Sequence, residues 1–188
     1  KDRFHESVHH PLYVRALYLR GQDGDALLVA LDLIFVEEGM LQRVRATLKA
    51  ELGLAPERVF VTASHTHAAP GVKGEEADEA YLGMVERQIV AAAALARTRI
   101  RPATLSFARH TCNIGINRRE KLPSGQIILG NNPDGFNDRE LLVLALNAAN
   151  GERIASVFNF ACHGTVLGDY NKVLSGDWPG GAALTIEK

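Results

Sequence analysis

Val59-Phe60-Val61-Thr62-Ala63-Ser64-His65-Thr66-His67-Ala68-Ala69-Pro70-Gly71 is a β-branched, apolar run that ends in two histidines and is stopped by Pro-Gly. In extended backbone, residues i and i+2 share a face, so both imidazoles are expected to leave the strand end on one side. Neutral imidazole is the commonest side-chain ligand for transition metals, and a strand end opening into a loop is where a rigid scaffold presents chemistry. A third histidine, His163, ends another apolar run, Phe158-Asn159-Phe160-Ala161-Cys162-His163-Gly164-Thr165. Two strands each delivering histidine at their ends form a metal-site pattern. The competing reading makes each histidine a satisfied core or surface residue. His5, His9, His10 and His110 lack that context, and the His9-His10 pair before Pro11 reads as loop.

The elements around this strand set the fold class. Tyr13 to Arg20 and Ala26 to Leu33 read as strands joined by the turn Gly21-Gln22-Asp23-Gly24-Asp25, a hairpin. From Glu37 to Leu52, Met40, Leu41, Val44 and Leu48 recur at helical spacing, with Gly53 as the stop. Tyr81 to Thr98 predicts a long Ala-rich helix with Leu82, Val85, Ile89 and Ala93 on one stripe. Ala103 to Thr111 alternates as a strand. Leu141 to Ala148 and Arg153 to Ala161, joined at Asn150-Gly151, carry the strongest hairpin signal in the chain. Asn113 to Asn137 predicts an irregular loop of about 25 residues, a length that in a compact domain is usually functional or disordered. Its densest polar cluster is Asn117-Arg118-Arg119, either a solvated loop or part of a site. Strands punctuated by helices give an α/β or α+β class, with mixed sheets packed with helices.

At 188 residues the chain fits one domain with a sizeable core. Lys+Arg 21 against Asp+Glu 22 leave a formal net charge of -1, so there is no electrostatic footprint for nucleic acid or for a polybasic membrane surface. No apolar run reaches the roughly 18 residues of a membrane-spanning helix. Cys112 and Cys162 either pair or stay free, and two cysteines cannot define a disulfide framework. The opening Lys1-Asp2-Arg3 and a helical pattern running to Lys188 without a stop signal read as cut ends of a longer polypeptide.

Several chemistries have no support. There is no Gly-x-Ser-x-Gly elbow, no Gly-x-x-x-x-Gly-Lys-Ser/Thr, no Gly-x-Gly-x-x-Gly and no Cys-x-x-Cys. The metallo-β-lactamase pattern His-x-His-x-Asp-His would need Asp and His where Ala69 and Pro70 stand. What survives is a mononuclear metal site built from scattered histidines.

Read with their neighbours, these segments resemble the N-terminal catalytic domain of the neutral/alkaline non-lysosomal ceramidase family. Four blocks carry the resemblance, in the family's order. They are Leu31-Asp32-Leu33 after a strand, Ser64-His65-Thr66-His67-Ala68-Ala69-Pro70-Gly71, Ile116-Asn117-Arg118, and Phe160-Ala161-Cys162-His163-Gly164-Thr165 followed by Ser175-Gly176-Asp177. Pro11-Leu12-Tyr13-Val14-Arg15-Ala16-Leu17 is similar to the family's opening strand. The resemblance spans nearly the whole chain. It implies that residues 1–188 are part of a single zinc-hydrolase catalytic domain whose C-terminal remainder lies outside this sequence.

Members of the family are zinc amidases that cleave the N-acyl bond of ceramide to sphingosine and a fatty acid. The resemblance therefore implies Zn2+ as cofactor and His65 and His163 as zinc ligands. His67 and Arg118 would line the site and face the scissile carbonyl. The family completes its zinc sphere with a Glu and a Tyr further along the chain, and a Ser in an Asn-x-Gly-Asp-type motif engages its substrate. A lipid or N-acyl small-molecule substrate, peripheral contact with a membrane, and a secreted, periplasmic or cell-surface location are implied in the same way.

The chemistry follows from the residue types. A catalytic zinc keeps one position open for water and lowers the pKa of that water to roughly 7. Amide cleavage then needs one group to hold the oxyanion and another to protonate the leaving amine. Arg118, a permanent cation, suits the first task. His67, near the metal but not bound to it, suits the second or shares the first. Asp177 has two readings: it orients a ligand histidine through the other ring nitrogen, or it is the N-cap of a helix opening at Ser175-Gly176-Asp177-Trp178-Pro179. Asp32, ending a buried strand near the same edge, is a lesser candidate for orienting a ligand. Ala68-Ala69 and Arg119-Glu120 depart from the family's usual Ser-Gly and Ser-Pro near the substrate mouth. They leave open a related bacterial zinc esterase or amidase with a non-sphingolipid substrate. A metal-free or metal-binding domain of the same fold without catalysis is the other alternative.

Overall fold

The structure, a computed structural model, describes residues 5–74, 77–168 and 171–188. The chain divides into two compact units, residues 1–100 with 164–188, and residues 101–163.

The first unit is built on a mixed three-stranded sheet. β2 (Val14–Gly21) and β3 (Gly24–Leu31) form the expected antiparallel hairpin around a two-residue turn, and β4 (Val59–Ala63) adds parallel to β3. A parallel neighbour needs a crossover, which α1 (Glu38–Leu52) supplies. Helix α1 begins where the Glu37 carboxylate accepts from the Gly39 and Met40 amides, and it ends at Gly53 in the left-handed region at φ 69°. Helix α2 (Glu79–Thr98) is started by Asp78, whose carboxylate accepts from the Ala80 and Tyr81 amides. The stripes expected from the sequence bury, except for Leu41, which is half-buried. Met40, Val44 and Leu48 of α1 and Leu82, Val85, Ile89 and Ala93 of α2 close over Leu27, Val29, Leu31 and Val59 of the sheet. β1 (Ser7–Val8) pairs parallel with β10 (Val173–Leu174), which leads directly into α3 (Asp177–Ile186).

The second unit is an antiparallel sheet in the order β5-β8-β9, made of β5 (Thr104–Thr111), β8 (Glu140–Asn147) and β9 (Arg153–Phe160). The β8-β9 hairpin turns at Asn150-Gly151, with Gly151 at φ 84°. The segment expected to be an irregular loop contains a small hairpin, β6 (Arg119–Lys121) against β7 (Ile127–Leu129). Three-residue strands are too short for alternation to register in the sequence. Cys112 and Cys162 form no disulfide with each other.

Candidate metal centre

The histidine pair does not leave an extended strand, as the sequence pattern suggested. β4 stops at Ala63, and His65 takes the left-handed conformation, φ 60°. Side chains no longer alternate across such a turn, so the two rings converge by a kink in the chain. Their centroids lie 5.1 Å apart and their planes are perpendicular. Thr66 then re-enters β geometry as an isolated parallel bridge with Gly164, and the His67 amide donates to the Gly164 carbonyl at 3.2 Å. The peptide bond into Gly164 brings His163 with it. One potential ligand atom from each of His65, His67 and His163 lies within 4.8 Å of the others.

The tautomer of His65 is fixed by its surroundings. Its Nδ1 lies 2.5 Å from the backbone carbonyl of Ile34, an acceptor, so Nδ1 carries the proton and donates. The lone pair therefore sits on Nε2, the form in which that nitrogen ligates a cation. Ile34 follows β3 and precedes the Glu37 cap of α1, so the first crossover of the sheet holds the acceptor. No motif could have announced it, because the group is a backbone carbonyl.

The two candidate carboxylates are engaged as follows. Asp32 is buried, accepts from the Tyr13 amide at 3.0 Å and pairs with the Arg15 guanidinium at 3.1 Å. It abuts the first turn of α3, where a Cβ on Gly176 would stand 3.1 Å from the Asp32 Cγ and 2.8 Å from the Gly180 Cα. Asp32 also reaches an apolar cleft of about 580 Å³ between the chain start and α2, lined by Leu12, Tyr13, Tyr81 and Met84 among others. Burial pushes the Tyr81 phenol up, and the Asp32 charge adds to it. Asp177 is the first residue of α3 rather than its cap, a position taken by Gly176 without a side-chain bond. The reason is that the Asp177 carboxylate is occupied by the Val166 and Leu167 amides, each at 3.1 Å, besides the Trp178 amide at 2.7 Å. It grips the turn that follows His163.

Arg118, in the second unit, stands at the mouth of the β6-β7 hairpin, where its carbonyl accepts from the Gly130 amide at 2.9 Å. Asn117 before it donates to the Phe136 carbonyl and accepts from the Arg119 amide through its side chain. The arginine is therefore half-buried on a hydrogen-bonded platform rather than on a slack loop.

Three imidazoles, one with its Nδ1 proton tied to a carbonyl, offer nitrogen donors of the kind that could hold a metal ion such as zinc. Comparison with known proteins concerns the family and the fold. The family model described as neutral/alkaline non-lysosomal ceramidase, N-terminal, matches residues 2–188. A solved structure described as a ceramidase complexed with C2 superposes with a TM-score of 0.81 at 23% identity, over 95% of this chain and 30% of that one. A neutral ceramidase from Pseudomonas aeruginosa superposes with a TM-score of 0.76 at 23% identity, over 93% and 30% respectively. The chain thus spans about 30% of the length of these structures.

Proposed function

The chain belongs to the neutral/alkaline non-lysosomal ceramidase family, and from that premise we propose that it carries the histidine half of a zinc amidohydrolase site acting on an N-acyl lipid such as ceramide. The observation that supports this most is the convergence of His65, His67 and His163, with His65 held in the tautomer that presents Nε2. His65 and His163 would hold the metal. Zinc bound there supplies Lewis-acid polarisation and a water of lowered pKa.

The remaining roles fall to this chain's own groups. Arg118, a planar guanidinium, holds the carbonyl oxygen as negative charge grows on it. His67, exposed where its two neighbours in the group are half-buried, returns a proton to the leaving nitrogen as general acid. An amide nitrogen leaves poorly as an anion, so this proton transfer is part of the barrier. The substrate assignment rests on the family and on the solved relative whose description includes a C2 ligand.

Metal content and hydrolysis by the full-length protein test the reading. Near-stoichiometric zinc, with chelator-sensitive release of fatty acid from a short-chain fluorescent ceramide, is expected. A zinc esterase with another acyl substrate would release acid only from esters. A protein without zinc and without either activity after metal-replete expression would be a binding module instead.

A further inference from the structure

Among the described residues, the two non-glycine residues at positive φ are His65 at 60° and Asp177 at 52°. Such conformations persist only where the surroundings over-determine them, and they gather at functional sites. These two lie on one closed circuit of hydrogen bonds. The Thr66 hydroxyl, fully buried between the two histidines, donates to the Ser175 carbonyl at 2.7 Å and accepts from the Ala68 amide at 3.1 Å. The Ser175 amide donates back to the Ala68 carbonyl at 2.9 Å. The Ser175 hydroxyl accepts from the Asp177 amide at 3.0 Å, and the Asp177 carboxylate holds the Val166 and Leu167 amides. From Val166 the chain runs back to Gly164, which bridges Thr66 and closes the circuit.

We propose that Thr66 and Asp177 are positioning residues of the histidine centre. Through Ser175, they clamp the His65–His67 turn and the turn after His163 to one anchor at the head of α3, and so set the affinity for metal without touching it. The inference rests on the zinc reading above. Thr66, Ser175 and Asp177 are 0%, 1% and 6% exposed, so no water takes over a bond that is lost. The anchor is a third segment: Ser175 is 109 residues from Thr66 along the chain, and Asp177 is 11 and 10 residues after Val166 and Leu167. It adds to the Thr66–Gly164 bridge, where the two turns meet directly.

The test is a zinc titration of the metal-free full-length protein against a competing chromophoric chelator, run beside thermal unfolding without metal. Thr66→Val removes the hydroxyl and keeps the shape, Thr66→Ser restores the hydroxyl, and Asp177→Asn removes one of the two acceptor oxygens. Thr66→Val and Asp177→Asn should bind zinc roughly 10–100-fold more weakly, the usual effect of losing a partner that orients metal ligands. Thr66→Ser should recover most of the affinity. Cobalt in place of zinc should give an altered visible spectrum in the first two variants and the parent spectrum in Thr66→Ser. Folded Thr66→Val and Asp177→Asn with parental zinc affinity would overturn the proposal while leaving the zinc reading intact. If Thr66→Val fails to fold, Asp177→Asn and the comparison of Thr66→Ser with parent decide it. A parent protein that binds no zinc would sink the metal reading itself, and this inference with it.

Discussion

A Cβ on Gly164 would stand 2.8 Å from the carbonyl oxygen of His65, closer than real side chains tolerate. The next nearest atoms are also backbone, the His65 carbonyl carbon and the Thr66 Cα, so nothing flexible can give way. Gly164 is glycine because two histidine-bearing segments touch main chain to main chain there. Gly164→Ala should push the His163 turn away and weaken zinc binding roughly 10–100-fold, although every candidate ligand is retained. Unchanged zinc affinity in a folded Gly164→Ala protein would separate the close approach from the site.

The three histidines should not be equivalent. His65→Ala and His163→Ala are expected to abolish zinc binding, whereas His67→Ala keeps most of the metal and loses turnover. His67 is the exposed member of the group and the one assigned to proton transfer. Metal content of the three folded variants, measured alongside amidase rates, checks the assignment. Equal metal loss in all three would make His67 a ligand.

The framework was legible because periodicity writes it directly. The stripes Met40-Val44-Leu48 and Leu82-Val85-Ile89-Ala93 name the buried faces of α1 and α2, and Gly53 marks a stop that the structure uses. The convergence of His65 with His163 was legible as residue types at the ends of apolar runs. Its cause was not. The i, i+2 rule assumes extended backbone, and the chain turns left-handed at His65 instead. A backbone carbonyl such as that of Ile34 has no sequence signature at all. Asp177 looked like a cap because Asp before Trp-Pro opens many helices. Its carboxylate serves a turn ten residues upstream, a long-range contact that local pattern cannot encode.

The segment that presents Ile34 should respond to acid through Glu37. The Gly39 and Met40 amides donate to its carboxylate and hold its pKa below the usual glutamate range. A folded-state pKa below the unfolded value stabilises the fold at pH above the unfolded value, near 4.3, and that contribution is lost as pH falls below it. Glu37→Gln should therefore be less stable than the parent at pH 7, and the gap should narrow as pH is lowered through 4. Chemical denaturation midpoints at pH 7 and pH 3.5 measure this. A gap that stays constant with pH would mean that the charge of Glu37 does not hold the start of α1.

Arg118 allows a test of the oxyanion-holding role proposed for it. Its platform is built by Asn117, whose side chain bonds the Phe136 carbonyl and the Arg119 amide, so the guanidinium starts from a fixed base. Arg118→Lys keeps the charge and loses the planar fork that can hold a developing oxyanion through two N–H groups. A loss of about 2 to 4 kcal/mol in transition-state stabilisation is expected, by analogy with removal of an oxyanion-hole donor. It should appear in kcat more than in KM, because charge on the oxygen grows only in the transition state. Zinc content should stay at the parental level, which distinguishes this variant from substitutions at the histidines. A parental kcat/KM in Arg118→Lys would return the arginine to a structural role at the mouth of the β6-β7 hairpin. A rise in KM alone would assign it to ground-state binding of the acyl substrate.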